Sequence, residues 1–182
     1  VEAGMGADVL VVGESTTKAL GAKLGPASSV FVYREVILVP KGSTKVHSLR
    51  DLANKGVRVA IGTADAPHGQ YARAVLAKAA SAYGADFPQK VKANVVITKA
   101  AAAQLPPTVT SGAVDAAIGF SSDASSALTV ISMPSAFDVV TETYAATIAN
   151  APHAAAAKDF VAYLTSSEAQ TIFRKHHFDP AH

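Results

Sequence analysis

Short, wholly apolar runs separated by helical stretches constrain the fold of this chain more than any other feature. These runs of Val, Ile, Leu and Ala have the length of strands and show no polar–apolar alternation. Continuous apolar strands are typical of sheets that are covered by helices on both faces. We therefore predict an α/β fold with mainly parallel sheets flanked by helices. The predicted strands are Val9–Val12, Val36–Val39, Val57–Ile61, Val95–Thr98, Ala116–Phe120 and Leu128–Ile131.

Helix boundaries can be placed from residues that start and stop helices. Pro67 suits the first turn of a long helix, and Gly84 is placed to end it. Thr165 and Glu168 have the T-x-x-E spacing of a capping box, which predicts that the last helix opens there.

The order of these elements predicts two lobes, one of them discontinuous. Residues 33–136 form a self-sufficient series of strands and helices, whereas residues 1–32 and 137–182 combine into the other lobe. The crossovers are predicted to be loops around Pro26–Tyr33 and Met133–Tyr144. The chain opens as if a helix were ending before the strand at Val9, which indicates that further residues precede Val1.

Composition excludes several classes of protein. The 182 residues include 16% charged residues, the net charge is +2, and the basic residues are scattered, which argues against a nucleic-acid partner. No apolar run approaches the ~20 residues of a membrane span, and no signal peptide is visible in the chain. The absence of cysteine excludes disulfides and thiol catalysis.

The most informative segment runs from Gly62 to Tyr71, where a predicted strand leads into the helix that starts at Pro67. The first N–H groups of a helix have no partner within the helix, and the helix dipole adds positive charge there. Such a start can bind an anion without a basic side chain, although a plain connection from strand to helix remains an alternative. The candidate residues here are Ala66, His68 and Gly69.

Two further strand ends offer donors of the same kind. Lys99 and the alanines after it open another predicted helix, and Ser121 and Ser122 follow the strand that ends at Phe120. Asp65 and Asp123 flank these segments and could accept a hydrogen bond from a protonated ligand such as phosphate, but we interpret both as helix caps.

The histidines do not predict a metal site. His176, His177 and His182 cluster near the end of the chain, but adjacent helical residues point to different sides and no metal-binding motif accompanies them. The side chain of His68 could either face solvent or cover the site.

In this order and spacing, these segments resemble the periplasmic molybdate/tungstate-binding proteins of ABC importers. The resemblance covers nearly the whole chain. It is carried by VEAGMGADVLVVGES, EVILVPKGS, RVAIGTADAPHGQYARAVL, SGAVDAAIGFSSDA and DFVAYLTSSEAQTIFRKHHF.

The resemblance implies a site built from backbone N–H groups and hydroxyls. It places donors at the amide of His68, with Gly69 beside it, and near Ala102. The family's tyrosine hydroxyl falls on Phe120, so a hydrogen bond to the ligand is lost unless Ser121 or Ser122 supplies it. The family also carries about 50 further residues before VEAG, with two serine-bearing helix starts that form the other wall. The resemblance therefore implies that the discontinuous lobe is incomplete in this chain.

The implied function is capture of a tetrahedral oxyanion in the periplasm or outside the cell. Molybdate or tungstate is favoured and sulfate is an alternative, with no cofactor and no metal beyond the bound oxyanion. We expect a monomer that passes its ligand to an ABC permease. A ligand-sensing domain of a transcription regulator with the same fold remains open. An enzyme is disfavoured because no nucleophile motif is present.

Overall fold

A computed structural model describes residues 6–181. Most of the helix end predicted before Val9 falls on residues 1–5, and these residues and His182 lie outside the described range. In the described part, no helix is long and apolar enough to cross a membrane.

Strands and helices alternate along much of the chain. The described strands are β1 (Val9–Gly13), β2 (Leu24–Pro40), β3 (Val59–Gly62), β4 (Val95–Lys99), β5 (Ala116–Phe120), β6 (Leu128–Ser132), β7 (Val140–Ile148) and β8 (Asp179–Pro180). The described α-helices are α1 (Glu14–Leu20), α2 (Pro67–Tyr83), α3 (Phe87–Asn94), α4 (Leu105–Thr110), α5 (Ala154–Leu164) and α6 (Ser167–Lys175).

The chain divides into two compact units. The first contains the residues up to Tyr33 and those from Val140 onward, and the second contains Arg34–Val139. The predicted boundaries, after residues 32 and 136, differ from these by one and three residues.

In the first unit, β1 pairs antiparallel with β7, in register from Val9 opposite Thr147 to Gly13 opposite Thr143. Its core gathers aromatic rings around Phe31. The ring centroids of Phe173 and Phe178 lie 4.9 and 4.6 Å from that of Phe31. Burial of these rings holds the C-terminal segment against the strands.

In the second unit, β3 lies parallel to both β4 and β5. The part of β2 in this unit runs antiparallel to β5 and to β6. The α/β class agrees with the prediction, but the sheet is mixed rather than mainly parallel. The apolar runs carry no information about strand direction, which depends on the connections between strands.

The sheet is buried on both faces where β2, β3 and β5 pair, as the continuous apolar strands predicted, whereas β4 and β6 are partly exposed. Ile37 and Ile118 pack on one face with α2 and α3, whereas Leu38 and Ala117 pack on the other with α4. The first of these clusters includes Ile61 near the end of β3 and Ala72 in α2.

Of the two crossovers that were predicted as loops, the first is part of a strand and the second is a strand only from Val140 onward. Residues 26–33 belong to the long strand β2, and β7 begins at Val140. In the first unit these strands are only partly buried, so polar residues such as Thr141 and Glu142 interrupt the apolar pattern. The long helix starts at Pro67 and is followed by Gly84, as predicted.

The last helix is capped one residue later than predicted. Ser166 is its N-cap, and the hydroxyl of Ser166 accepts from the N–H of Ala169 at 3.2 Å. Thr165 instead donates its hydroxyl to Ala162, which leaves the cap to the next residue.

Candidate functional site

The start of α2 forms the centre of the candidate site, which lies entirely within the second unit. Pro67 has no N–H, and the carbonyl of Ala66 accepts from the N–H groups of both Gly69 and Gln70 at 3.0 Å. Ala66 donates its own N–H to Thr63. The backbone N–H of His68 has no acceptor among the described residues, so it is the donor that this turn offers to a ligand.

Two glycines bring the end of β3 against the first turn of α2. A Cβ atom on Gly69 would lie 1.9 Å from the carbonyl oxygen of Thr63, and a Cβ on Gly62 would lie 2.5 Å from the nitrogen of Gly69. Gly69 therefore contributes close packing, because its own N–H is already bonded to Ala66. Arg73 stabilises the contact between these two glycines, since its Nη1 donates to the carbonyls of Gly62 at 3.0 Å and Gly69 at 2.6 Å.

The side chain of His68 is buried, with 6% of its surface exposed, so it does not face solvent. Its Nε2 lies 3.1 Å from the carbonyl oxygen of Lys99. A carbonyl can only accept, so Nε2 carries the proton in this hydrogen bond. The backbone N–H of Thr63 donates to the same carbonyl at 3.0 Å. These two bonds tie the start of α2 and the turn that precedes it to the end of β4.

The second predicted helix start is a single 3₁₀ turn over Ala102–Gln104, and the short helix α4 follows it. The carbonyl of Ala101 accepts from the N–H of Gln104 at 3.0 Å. The N–H of Ala102 is without an acceptor in the described part of the chain, so Ala102 is available as a donor. Pro106 and Pro107 lie in the first turn of α4, where a missing N–H group costs no hydrogen bond within the helix.

The third segment lies at the end of β5. Asp123 accepts from the N–H of Phe120 at 3.0 Å and so closes a 3₁₀ turn over Ser121–Asp123. The Phe120 ring meets the ring of His68 edge-on, with centroids 6.4 Å apart. Ser121 and Ser122 are half-buried in this turn.

The two aspartates that flank the site differ in their environments. Asp65 is exposed, and Ala66 rather than Asp65 occupies the N-cap position of α2, with no side-chain cap bond. Asp65 therefore does not cap the helix as predicted. Burial raises the pKa of Asp123, against the opposing effects of the Phe120 N–H and of His68.

Glu35 is a residue of this region that no sequence motif indicates. It lies on β2 directly opposite Phe120, and only 2% of its surface is exposed. Neither carboxyl oxygen has a hydrogen-bond partner among the described residues. Burial raises the pKa of Glu35 to about 9, and the negative charges of Asp123 and Asp138 act in the same direction. The signal in the sequence was a glutamate directly before the apolar run Val36–Val39.

The geometry brings together three of the predicted segments through direct contacts. Lys99 links the end of β4 to His68, His68 contacts Phe120, and Phe120 is bonded to Asp123. The site therefore combines unpaired N–H groups at two turns with the positive end of the helix dipole of α2. Such an arrangement attracts an anion.

A family model described as bacterial extracellular solute-binding protein matches residues 1–179. The chain belongs to this family. Its members are solute-binding proteins of transport and do not form an enzyme family. A search of curated protein sequences gives no match.

Solved structures share the fold of this solute-binding protein. The substrate-binding domain of a putative molybdenum ABC transporter from Clostridium difficile has a TM-score of 0.81 at 22% identity, over 100% of this chain and 80% of that one. The periplasmic molybdate-binding protein of Azotobacter vinelandii has a TM-score of 0.79 at 16% identity, over 100% and 81%. The sulfate-binding protein SubI from Mycobacterium tuberculosis H37Rv has a TM-score of 0.76 at 18% identity, over 98% and 70%. At these identities the similarity shows the fold alone.

Proposed function

We propose that this solute-binding protein captures a tetrahedral oxyanion, with molybdate or tungstate favoured and sulfate as an alternative. It acts as a monomer in the periplasm or outside the cell and passes the anion to an ABC permease, with no cofactor and no bond made or broken. Family membership supports the solute-binding role. The names of the structural neighbours, which include molybdate- and sulfate-binding proteins, support the ligand class.

The observation that carries the proposal is the unpaired N–H of His68 at the start of α2. It lies at the positive end of a 17-residue helix, in a turn held in place by Gly62, Gly69 and Arg73. A molybdate or tungstate ion is fully deprotonated at neutral pH and needs donors on all sides. Ala102 provides a second N–H, and Ser121 and Ser122 provide hydroxyls near Phe120.

The test compares two substitutions at one position. His68→Ala removes the imidazole and keeps the backbone N–H, whereas His68→Pro removes both. Proline is tolerated in the first turn of a helix, and this chain already carries Pro106–Pro107 at the start of α4. We expect the proline variant to bind molybdate about 10- to 100-fold more weakly than the alanine variant in isothermal titration calorimetry, because a donor to a charged acceptor is lost.

Circular dichroism and urea unfolding of both variants provide the control for folding. Equal affinities of two folded variants for every anion tested would contradict the role of this N–H group. Absence of binding by the unsubstituted protein would contradict the proposed function itself.

A further inference from the structure

Glu35 is buried without the hydrogen bonds that a buried carboxyl normally has. Both oxygens lack partners among the described residues, although only 2% of the residue is exposed. Leaving a buried polar group unpaired destabilises a fold, so such groups are uncommon and call for an explanation. A bound ligand that supplies the missing partner is one such explanation.

The position of Glu35 places it beside the candidate site. In the antiparallel pairing of β2 with β5, Glu35 lies directly opposite Phe120. Side chains of directly paired residues lie on the same face of a sheet, with Cβ atoms about 5 Å apart. On that face the Phe120 ring contacts His68, whose N–H is the proposed anion donor.

We infer that Glu35 is a ligand-binding residue that acts as a neutral carboxylic acid and donates its O–H to the oxyanion held at the start of α2. This inference rests on the proposed function and adds a donor that the resemblance did not include. Phe120 has no polar group, so the adjacent Glu35 is placed to supply the hydrogen bond that Phe120 cannot make.

A donor role fits the charges around Glu35 better than an acceptor role. An ionised Glu35 would stand close to Asp123 and would repel a dianion, whereas a neutral carboxyl can donate to it. The buried environment keeps the pKa of Glu35 at about 9, so the neutral form dominates at pH 7. Because Glu35 loses this proton at alkaline pH, the affinity for the anion falls there.

Several other charged groups lie around Glu35 and the start of α2. Asp123 lies on the turn after β5, and Asp138 lies on the segment before β7. Asp138 is paired with Arg34, and its carbonyl accepts from Lys78 at 2.8 Å. His68 faces Asp123 from α2. Because these groups are unchanged in a Glu35 variant, a comparison of variants isolates the contribution of Glu35.

The test measures molybdate affinity by isothermal titration calorimetry from pH 7 to pH 10. The proteins are the unsubstituted chain, Glu35→Leu, Glu35→Gln and, as a matched control, the exposed Glu14→Gln. We expect Glu35→Leu to bind about 10- to 100-fold more weakly at pH 7. Glu35→Gln keeps a hydrogen-bond donor, so its affinity for molybdate should fall less. Above pH 9 the affinity of the unsubstituted chain falls about tenfold per pH unit, whereas that of Glu35→Gln stays level.

Urea unfolding separates a binding role from a structural one. Because leucine removes an unpaired buried polar group, we expect Glu35→Leu to unfold at an equal or higher urea concentration while it binds more weakly. The urea midpoint of the unsubstituted chain should also fall between pH 6 and pH 9, and that of Glu35→Gln should not.

The outcomes distinguish this inference from the proposed function. If the unsubstituted chain binds molybdate and folded Glu35→Leu binds it equally well, Glu35 is not a ligand-binding residue and the proposed function stands. An affinity that is level up to pH 10 in the unsubstituted chain would also overturn the donor role. If the unsubstituted chain binds none of molybdate, tungstate, sulfate or phosphate, both proposals fail.

Discussion

At the scale of single residues, the shape of the site depends on the contact between Gly62 and Gly69. No side chain fits between the end of β3 and the first turn of α2, because a Cβ on Gly69 would overlap the carbonyl of Thr63. The contact fixes the direction in which the N–H of His68 points. Arg73 stabilises it from within the helix through its bonds to both glycine carbonyls.

Gly69→Ala is therefore expected to lower the free energy of unfolding by about 2–4 kcal/mol, since the backbone must move to relieve the overlap. Urea unfolding measures this change. Gly13→Ala is the control, because a Cβ there meets nothing within 4 Å, and its cost should stay below about 1 kcal/mol. A change at position 69 as small as that at position 13 would show that the contact is looser than described.

The candidate residues were predictable from the sequence to different degrees. The start of α2 could be placed because Pro67 and Gly69 follow an apolar strand, and the structure finds the unpaired N–H at His68. Glu35 was missed because its importance depends on which strand pairs with β5. A single sequence does not reveal that pairing.

At the scale of elements, β3 and β5 are tied together at the ends away from the site. Arg58 precedes β3 and Asp115 precedes β5. The Asp115 carboxylate accepts from the backbone N–H of Arg58 at 2.9 Å, from Arg58 Nη2 at 3.0 Å and from Lys45 Nζ at 3.0 Å. These charge-assisted bonds hold the pKa of Asp115 well below its usual range.

Asp115→Asn is expected to lower the free energy of unfolding by about 1 kcal/mol at pH 7. The effect is this small because Arg58 and Lys45 are half exposed, and solvent screens their attraction to the carboxylate. The pKa of Asp115 is lowered in the folded state. Its contribution to the free energy of unfolding is therefore present above pH 4 and is lost as the pH falls towards the folded-state pKa. The difference in the free energy of unfolding between the variant and the unsubstituted protein should become smaller below pH 4. Urea unfolding at pH 7, 4 and 2.5 measures it.

Asp86→Asn provides the matched control for this prediction. Asp86 pairs with Lys90 one helical turn away on an exposed surface, so its substitution should cause no measurable change. An equal effect of the two substitutions, or a difference at Asp115 that widens in acid, would contradict the role assigned to Asp115.

The strands of the second unit were easier to predict than those of the first. β3, β5 and the part of β2 that pairs with β5 are buried on both faces, and burial of that kind leaves a continuous apolar run. The first part of β2 and the strand β7 are only partly buried, so their polar residues gave the pattern of loops. Strand direction was also beyond prediction, since antiparallel and parallel buried strands have the same composition.

At the scale of the whole molecule, the chain belongs to a family of bacterial extracellular solute-binding proteins and has their fold. The chain passes twice between its two units, after Tyr33 and after Val139. All the candidate site residues, together with Glu35, fall in the second unit. We therefore expect this unit to supply the contacts to the anion that are described above.

The most direct test of the central claim is thermal unfolding of the 182-residue protein in separate titrations with molybdate, tungstate, sulfate and phosphate. A ligand at one hundred times its dissociation constant adds about 2.7 kcal/mol to the stability of the protein that it binds. For a chain of this size we predict that molybdate or tungstate raises the unfolding temperature by roughly 5–10 °C, in a saturable manner. An unfolding temperature that no anion changes, even at millimolar concentration, would contradict the account.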